Sequence, residues 1–146
     1  MKTRIAVIWN PMLNRHGIGS TVEGAKEIAA WMSDDLTRGQ DSINDWLAQF
    51  NAVATGELDG GYLGTGNAHH VRAIGEHVYI ECEFDENMKV FLTRAQIAEA
   101  LQNYSAFLTA DLGDPSQPPE TFEVEFETSG EMALDSYLAM GGKLGM

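Results

Sequence analysis

Positive charge is scarce in this chain. Only 9 of 146 residues are Lys or Arg against 22 Asp or Glu, a formal net charge of −13. A field of that sign repels phosphate backbones and anionic lipid, so neither direct nucleic-acid binding nor a membrane surface is an expected role. Cysteine is nearly absent as well. The one thiol, Cys82, cannot pair within the chain, and its apolar strand neighbours predict an inert buried thiol in a reducing compartment. Long apolar runs are missing: Lys2 and Arg4 lead into only Ile5-Ala6-Val7-Ile8-Trp9, too short for a signal-peptide core or a membrane span. A cytoplasmic location is therefore expected. Proline amounts to 4 residues, and three of them, Pro115, Pro118 and Pro119, predict a stiff loop over residues 113–120.

With 44% hydrophobic residues and no repeat or long linker, the chain has the material for one globular domain. Residues 3–9 form a nearly continuous apolar run that suits a strand covered on both faces. Ser20 and Glu23 have capping-box spacing, and Val22, Ala25, Ile28, Ala29, Met32 and Leu36 follow at helical intervals to about Arg38. Gly39 separates this helix from a second, capped by Asp41 or Ser42 and carrying Ile43, Trp46, Leu47 and Phe50 on one stripe. Gly56, Gly60, Gly61, Gly64 and Gly66 mark a loop. Residues 70–74, 77–84 and 89–92 read as an antiparallel meander. Thr93 and Gln96 form a second capping box before Ile97, Leu101, Tyr104, Phe107 and Leu108. A strand over residues 121–128 and a helix over residues 132–140 complete the order β-α-α-β-β-β-α-β-α. Clustered strands of this kind predict an α+β fold, a largely antiparallel sheet with helices packed on one face. Trp9 and Trp46 read as core, whereas Trp31 lies off the strongest apolar row and is expected to be partly exposed.

The acid is unevenly placed. Up to Gly75 there are 6 basic and 8 acidic residues, net −2; from Glu76 onward there are 3 and 14, net −11. A period of two puts Val78, Ile80, Cys82 and Phe84 on one strand face and Tyr79, Glu81, Glu83 and Asp85 on the other. It likewise separates Phe122, Val124 and Phe126 from Glu123, Glu125 and Glu127. Acidic residues are depleted in strands, and like charges facing each other destabilise a sheet by roughly 0.2–1 kcal/mol per pair. Such a face has its use if it holds a cationic partner, so Tyr79, Glu81, Glu83, Asp85, Glu123, Glu125 and Glu127 are the candidate partner-binding residues. A solvated outer face, with acid serving solubility and edge protection, is the alternative.

Other chemistry finds little support. His16, His69, His70 and His77 lack metal-ligand spacing, and neighbours such as His69 and His70 point to opposite faces of a strand. Gly17-Ile18-Gly19-Ser20-Thr21 lies between a strand and a helix but lacks the lysine of a P-loop and the third glycine of a dinucleotide fingerprint. No Ser/His/Asp or Cys/His arrangement stands out, and solvated carboxylates in a row do not acquire the separated pKa values of an acid–base pair. Neither a cofactor, a metal nor catalysis is expected. The alternative from another class is a small-molecule-binding or enzymatic domain with its site at residues 17–21 or in the stretch from Gly56 to His70.

The stretch over residues 64–101 contains Gly64-Thr65-Gly66-Asn67, then Val78-Tyr79-Ile80-Glu81-Cys82-Glu83-Phe84-Asp85-Glu86-Asn87 and the Thr93-capped helix. It resembles immunity proteins of bacterial contact-dependent growth inhibition and related polymorphic toxin systems. The resemblance covers about a quarter of the chain and assigns no role to a numbered position. It implies a one-to-one complex with a cognate toxin domain, often a nuclease, whose basic surface is occluded by acid. An acidic regulatory or scaffold subunit would use the same charge on another basic protein.

Overall fold

The computed structural model describes residues 1–12, 15–109 and 121–144. The expected proline loop over residues 113–120 lies outside them. The elements run β1 (Lys2–Asn10), β2 (Arg15–Gly19), α1 (Ala25–Asp35), α2 (Gln40–Thr55), β3 (Gly61–Thr65), β4 (His69–Ile74), β5 (His77–Cys82), β6 (Lys89–Thr93), α3 (Arg94–Thr109), β7 (Thr121–Glu125), β8 (Thr128–Ser129) and α4 (Glu131–Ala139). The α+β class and the antiparallel meander are as expected. Three strands add to the expected order. Arg15–Gly19 pairs with β1, Gly61–Thr65 forms within the glycine-rich stretch, and Thr128–Ser129 is a short piece beyond β7.

The strands form two antiparallel sheets, one ordered β2-β1-β7 and the other β3-β4-β5-β6-β8. A single core joins them. Ile5 and Val124 from the smaller sheet, with Phe126 just after β7, pack with Val71, Val78, Ile80, Val90 and Leu92 from the larger. Into the same core α1 sends Ile28, Trp31 and Met32, α2 sends Ile43, Trp46 and Phe50, and α3 sends Ile97, Leu101 and Tyr104. The other face of the larger sheet is covered too, because α4 lays Ala133 and Tyr137 on Tyr79 and Phe91.

Local chemistry sets the boundaries. The Thr93–Gln96 capping box forms in both directions: Gln96 N donates to Thr93 Oγ1 at 3.0 Å and Thr93 N to Gln96 Oε1 at 2.9 Å. Helix α1 starts one turn later than the Ser20–Glu23 spacing suggests. Ser20 Oγ instead accepts Val22 N, Val22 stays exposed, and the buried Glu27 carboxylate accepts Gly24 N at 2.5 Å. Position 24 requires glycine, since its φ is 88° and a Cβ there would stand 2.2 Å from the Phe126 ring. Burial raises the Glu27 pKa above the ordinary carboxylate value, opposed by the Gly24 amide and the nearby Lys26.

Two tryptophans depart from expectation. Trp31 is fully buried, edge-on to Trp46 of α2 at 5.7 Å, a distant partner that its own helix does not reveal. Trp9 is half-buried beside His16 rather than in the core. Strand β1 is likewise covered on one face only: Ile5 and Val7 point inward, while Lys2, Arg4 and Ile8 are exposed.

Candidate functional site

The two acidic strands lie in different sheets, β5 inside the larger and β7 at an edge of the smaller. The seven candidate residues therefore do not form one continuous acidic face, and they divide into three groups.

Tyr79 belongs to the interior, and Glu81, its side chain 20% exposed, is bound to it and to Arg72. Tyr79 is fully buried, stacked on Tyr137 with centroids 4.7 Å apart, and its hydroxyl donates to Glu81 Oε2 at 3.0 Å. Burial pushes the Tyr79 pKa well above its usual range, with the Glu81 charge adding to the effect. Glu81 Oε1 accepts Arg72 Nη1 at 2.6 Å, and the Arg72 side chain is only 4% exposed. Arg72 Nη2 donates to the Leu144 carbonyl at 2.7 Å, and the guanidinium lies over the Tyr62 ring, 5.4 Å from its centroid. The alternation in β5 is real, but its polar face is roofed by α4 and the segment after it. Tyr79 has no exposed surface, and Glu81 is held as the counter-ion of Arg72.

The β7 carboxylates are exposed or half-buried but not uncompensated. Glu123 stands directly across from Arg4, and Glu125 across from Lys2, in the antiparallel register with β1. The Arg4–Glu123 pair measures 3.9 Å with both side chains more than half exposed. Opposite charges face one another where like charges were expected to crowd. Glu127 lies beyond the strand end and accepts Gln96 Nε2 at 3.2 Å.

Glu83 and Asp85 remain as exposed acid, on the turn joining β5 to β6 together with Glu86. Phe84, assigned by alternation to the apolar face, is 77% exposed because β5 ends at Cys82. The root of this tip is fixed: Glu83 N donates to Ala68 O at 2.6 Å, Cys82 N to Met88 O at 3.0 Å, and Met88 N to Asp85 O at 3.1 Å. Asp85 Oδ1 accepts Asn87 N at 3.0 Å, which shapes the turn itself. Among the described residues no ion pair involves Glu83, Asp85 or Glu86.

The glycine-containing segments prove to be framework. Gly17 and Gly19 belong to β2, opposite Ile8 and Ala6, and are five or more residues before the first residue of α1, so they form no phosphate cradle at a helix N-terminus. The β3–β4 hairpin is tied to the end of α1. Asp35, its side chain fully buried, accepts Ala68 N at 3.0 Å, His69 N at 2.9 Å and His69 Nδ1 at 3.1 Å. Gly66 lets this carboxylate approach, since a Cβ there would lie 2.6 Å from that of Asp35. His69 and His70 point to opposite faces, with His70 Nδ1 3.2 Å from the Tyr62 hydroxyl. Among the described residues no group of three or more His, Cys, Asp or Glu could hold a metal ion, and no helix is long and apolar enough to cross a membrane. Asp35 escaped the sequence reading because its partners are more than thirty residues away and nothing local marks it.

No protein-family model matches the chain, and comparison with curated proteins and with solved structures finds no match.

Proposed function

We propose that this chain is an inhibitory binding protein of the immunity type, which neutralises a cationic toxin domain, a nuclease being the fitting class, and does so through the β5–β6 tip. The single observation that carries the reading is Phe84, an aromatic side chain 77% exposed and flanked by Glu83, Asp85 and Glu86 on a turn with a hydrogen-bonded root. Aromatic anchors supply much of the energy at interfaces, and unpaired carboxylates around one favour a basic surface and speed its approach. A pre-set turn loses little freedom on binding. Glu123, Glu125 and Glu127 add to the long-range field rather than to contacts, and Tyr79 and Glu81 keep the hairpin in place from beneath.

The test uses the C-terminal domain of the protein encoded by the adjacent upstream reading frame. This chain should bind it one to one and suppress its toxicity in co-expressing cells, and binding should weaken as salt is raised. The combined change Glu83→Lys, Phe84→Ala and Asp85→Lys should weaken binding at least about 100-fold, whereas Glu123→Lys with Glu125→Lys should cost less than about tenfold. Absence of a complex removes the immunity reading. A complex indifferent to the tip substitutions removes the tip as its site.

A further inference from the structure

Helix α4 carries apolar side chains on every side. Ala133 and Tyr137 are buried against the larger sheet and Leu134 packs beside them, yet Met132, Leu138 and the C-cap residue Met140 are exposed, Met132 by 67%. A surface helix normally has one apolar stripe, whereas a helix that is apolar all round is normally covered all round. Leu144, on the segment after α4, is exposed as well. Four exposed large apolar side chains thus fall within residues 132–144, and a cluster of that kind marks a contact surface.

Acid accompanies the apolar groups. Helical spacing puts Asp135 in the middle of the outward face, three residues after Met132 and three before Leu138. Asp135 is exposed and makes no ion pair among the described residues. Glu131, also exposed, accepts Lys89 Nζ at 3.1 Å. The same lysine joins this face to the β5–β6 tip. Lys89 is the first residue of β6 after the tip, and its carbonyl accepts Gly130 N at 2.8 Å, so α4 starts at the root of the turn that bears Phe84.

We infer, resting on the toxin-binding reading, that the outward face of α4 is a second contact surface for the cationic domain, which bears on the Phe84 tip and on Met132, Asp135 and Leu138 together. The partner surface that fits is apolar with Lys or Arg set into it: apolar atoms cover Met132 and Leu138, and a cation meets Asp135 between them. A second copy of the chain is the poorer occupant. A two-fold axis through the middle of α4 sets Asp135 against Asp135, on chains that already repel each other with a net charge of −13 apiece.

The complex with the upstream-encoded domain provides the test. Hydrogen peroxide converts exposed methionines to sulfoxides, and peptide masses give the rate at each. Met12, on the turn between β1 and β2, and Met132 should both react in the free chain. Binding should slow Met132 at least about fivefold, as a contact that excludes water would, and leave Met12 unchanged. Met132→Ser with Leu138→Ser should keep the native urea midpoint and weaken binding about tenfold or more. Leu108→Ser, at an exposed position on α3 across the larger sheet, should change binding less than about twofold. An unprotected Met132, or a double-serine chain that binds as the native one does, overturns this second surface while the tip substitutions still weaken the complex and the toxin-binding reading stands. A native chain that forms no complex removes both. A free chain that sediments as a dimer, and as a monomer with the two serines, gives the face to a second copy and overturns the inference as well.

Discussion

Strands β5 and β7 carry the same sequence pattern, an apolar residue alternating with an acidic or aromatic one, and have opposite fates. In β5 the polar face is roofed by α4, and its carboxylate, Glu81, serves as counter-ion to a buried Arg72 that also holds the carbonyl of Leu144. In β7 the acidic face stays toward solvent, next to the basic residues of β1. Alternation specifies that a strand has two unlike faces. What lies over each face is decided by elements far away in sequence, here α4 for one strand and β1 for the other.

The largest effect that tests this contrast is the loss of a buried charge. Arg72→Ala leaves Glu81 and the Leu144 carbonyl without their cation, and should cost about 3 kcal/mol or more of unfolding free energy. Arg4→Ala removes an exposed cross-strand partner and should cost less than about 1 kcal/mol, an effect that shrinks as salt is added. Urea denaturation of the two variants in low and high salt measures both; similar costs would break the contrast.

A smaller effect sharpens it at a third carboxylate, the buried Glu27, whose counter-ion is the part-exposed Lys26 at 3.7 Å. The pKa of Glu27 is raised in the folded chain, so its contribution to stability is fully present below the ordinary value of 4.5 and is lost as pH rises through the raised one. Glu27→Gln keeps an acceptor for Gly24 N but cannot titrate. Compared at pH 7 and again at about pH 4.5 in urea, the native chain should gain stability relative to this variant on acidification. A difference that is flat or moves the other way would show that the Gly24 amide and Lys26 outweigh burial.

Much of the fold was legible. The meander, the Thr93–Gln96 cap and the buried stripe of α3 rest on short-range signals, namely period, turn residues and side chain to backbone hydrogen bonds. What escaped needed distant partners. β2 and β3 are weak as local strands and exist because β1 and β4 supply ladders for them. Trp31 is buried by α2, and Phe84 is exposed because β5 stops two residues before the apolar pattern does. Of the seven candidate binding residues, Glu83 and Asp85 keep the expected character, as exposed acid without an ion pair among the described residues. Tyr79 loses it altogether. The Asp35–His69 pair left no trace in sequence spacing, since one member comes from a helix end and the other from a strand more than thirty residues later.

The most direct measurement of the central claim sets Glu81→Gln beside Glu123→Gln in the same urea titration. Each removes one carboxylate charge from an alternating acidic strand. The internal role of Glu81 and the surface role of Glu123 predict a loss of more than about 2 kcal/mol for the first and less than about 1 kcal/mol for the second. Equal losses would contradict the division of the two strands into framework and surface.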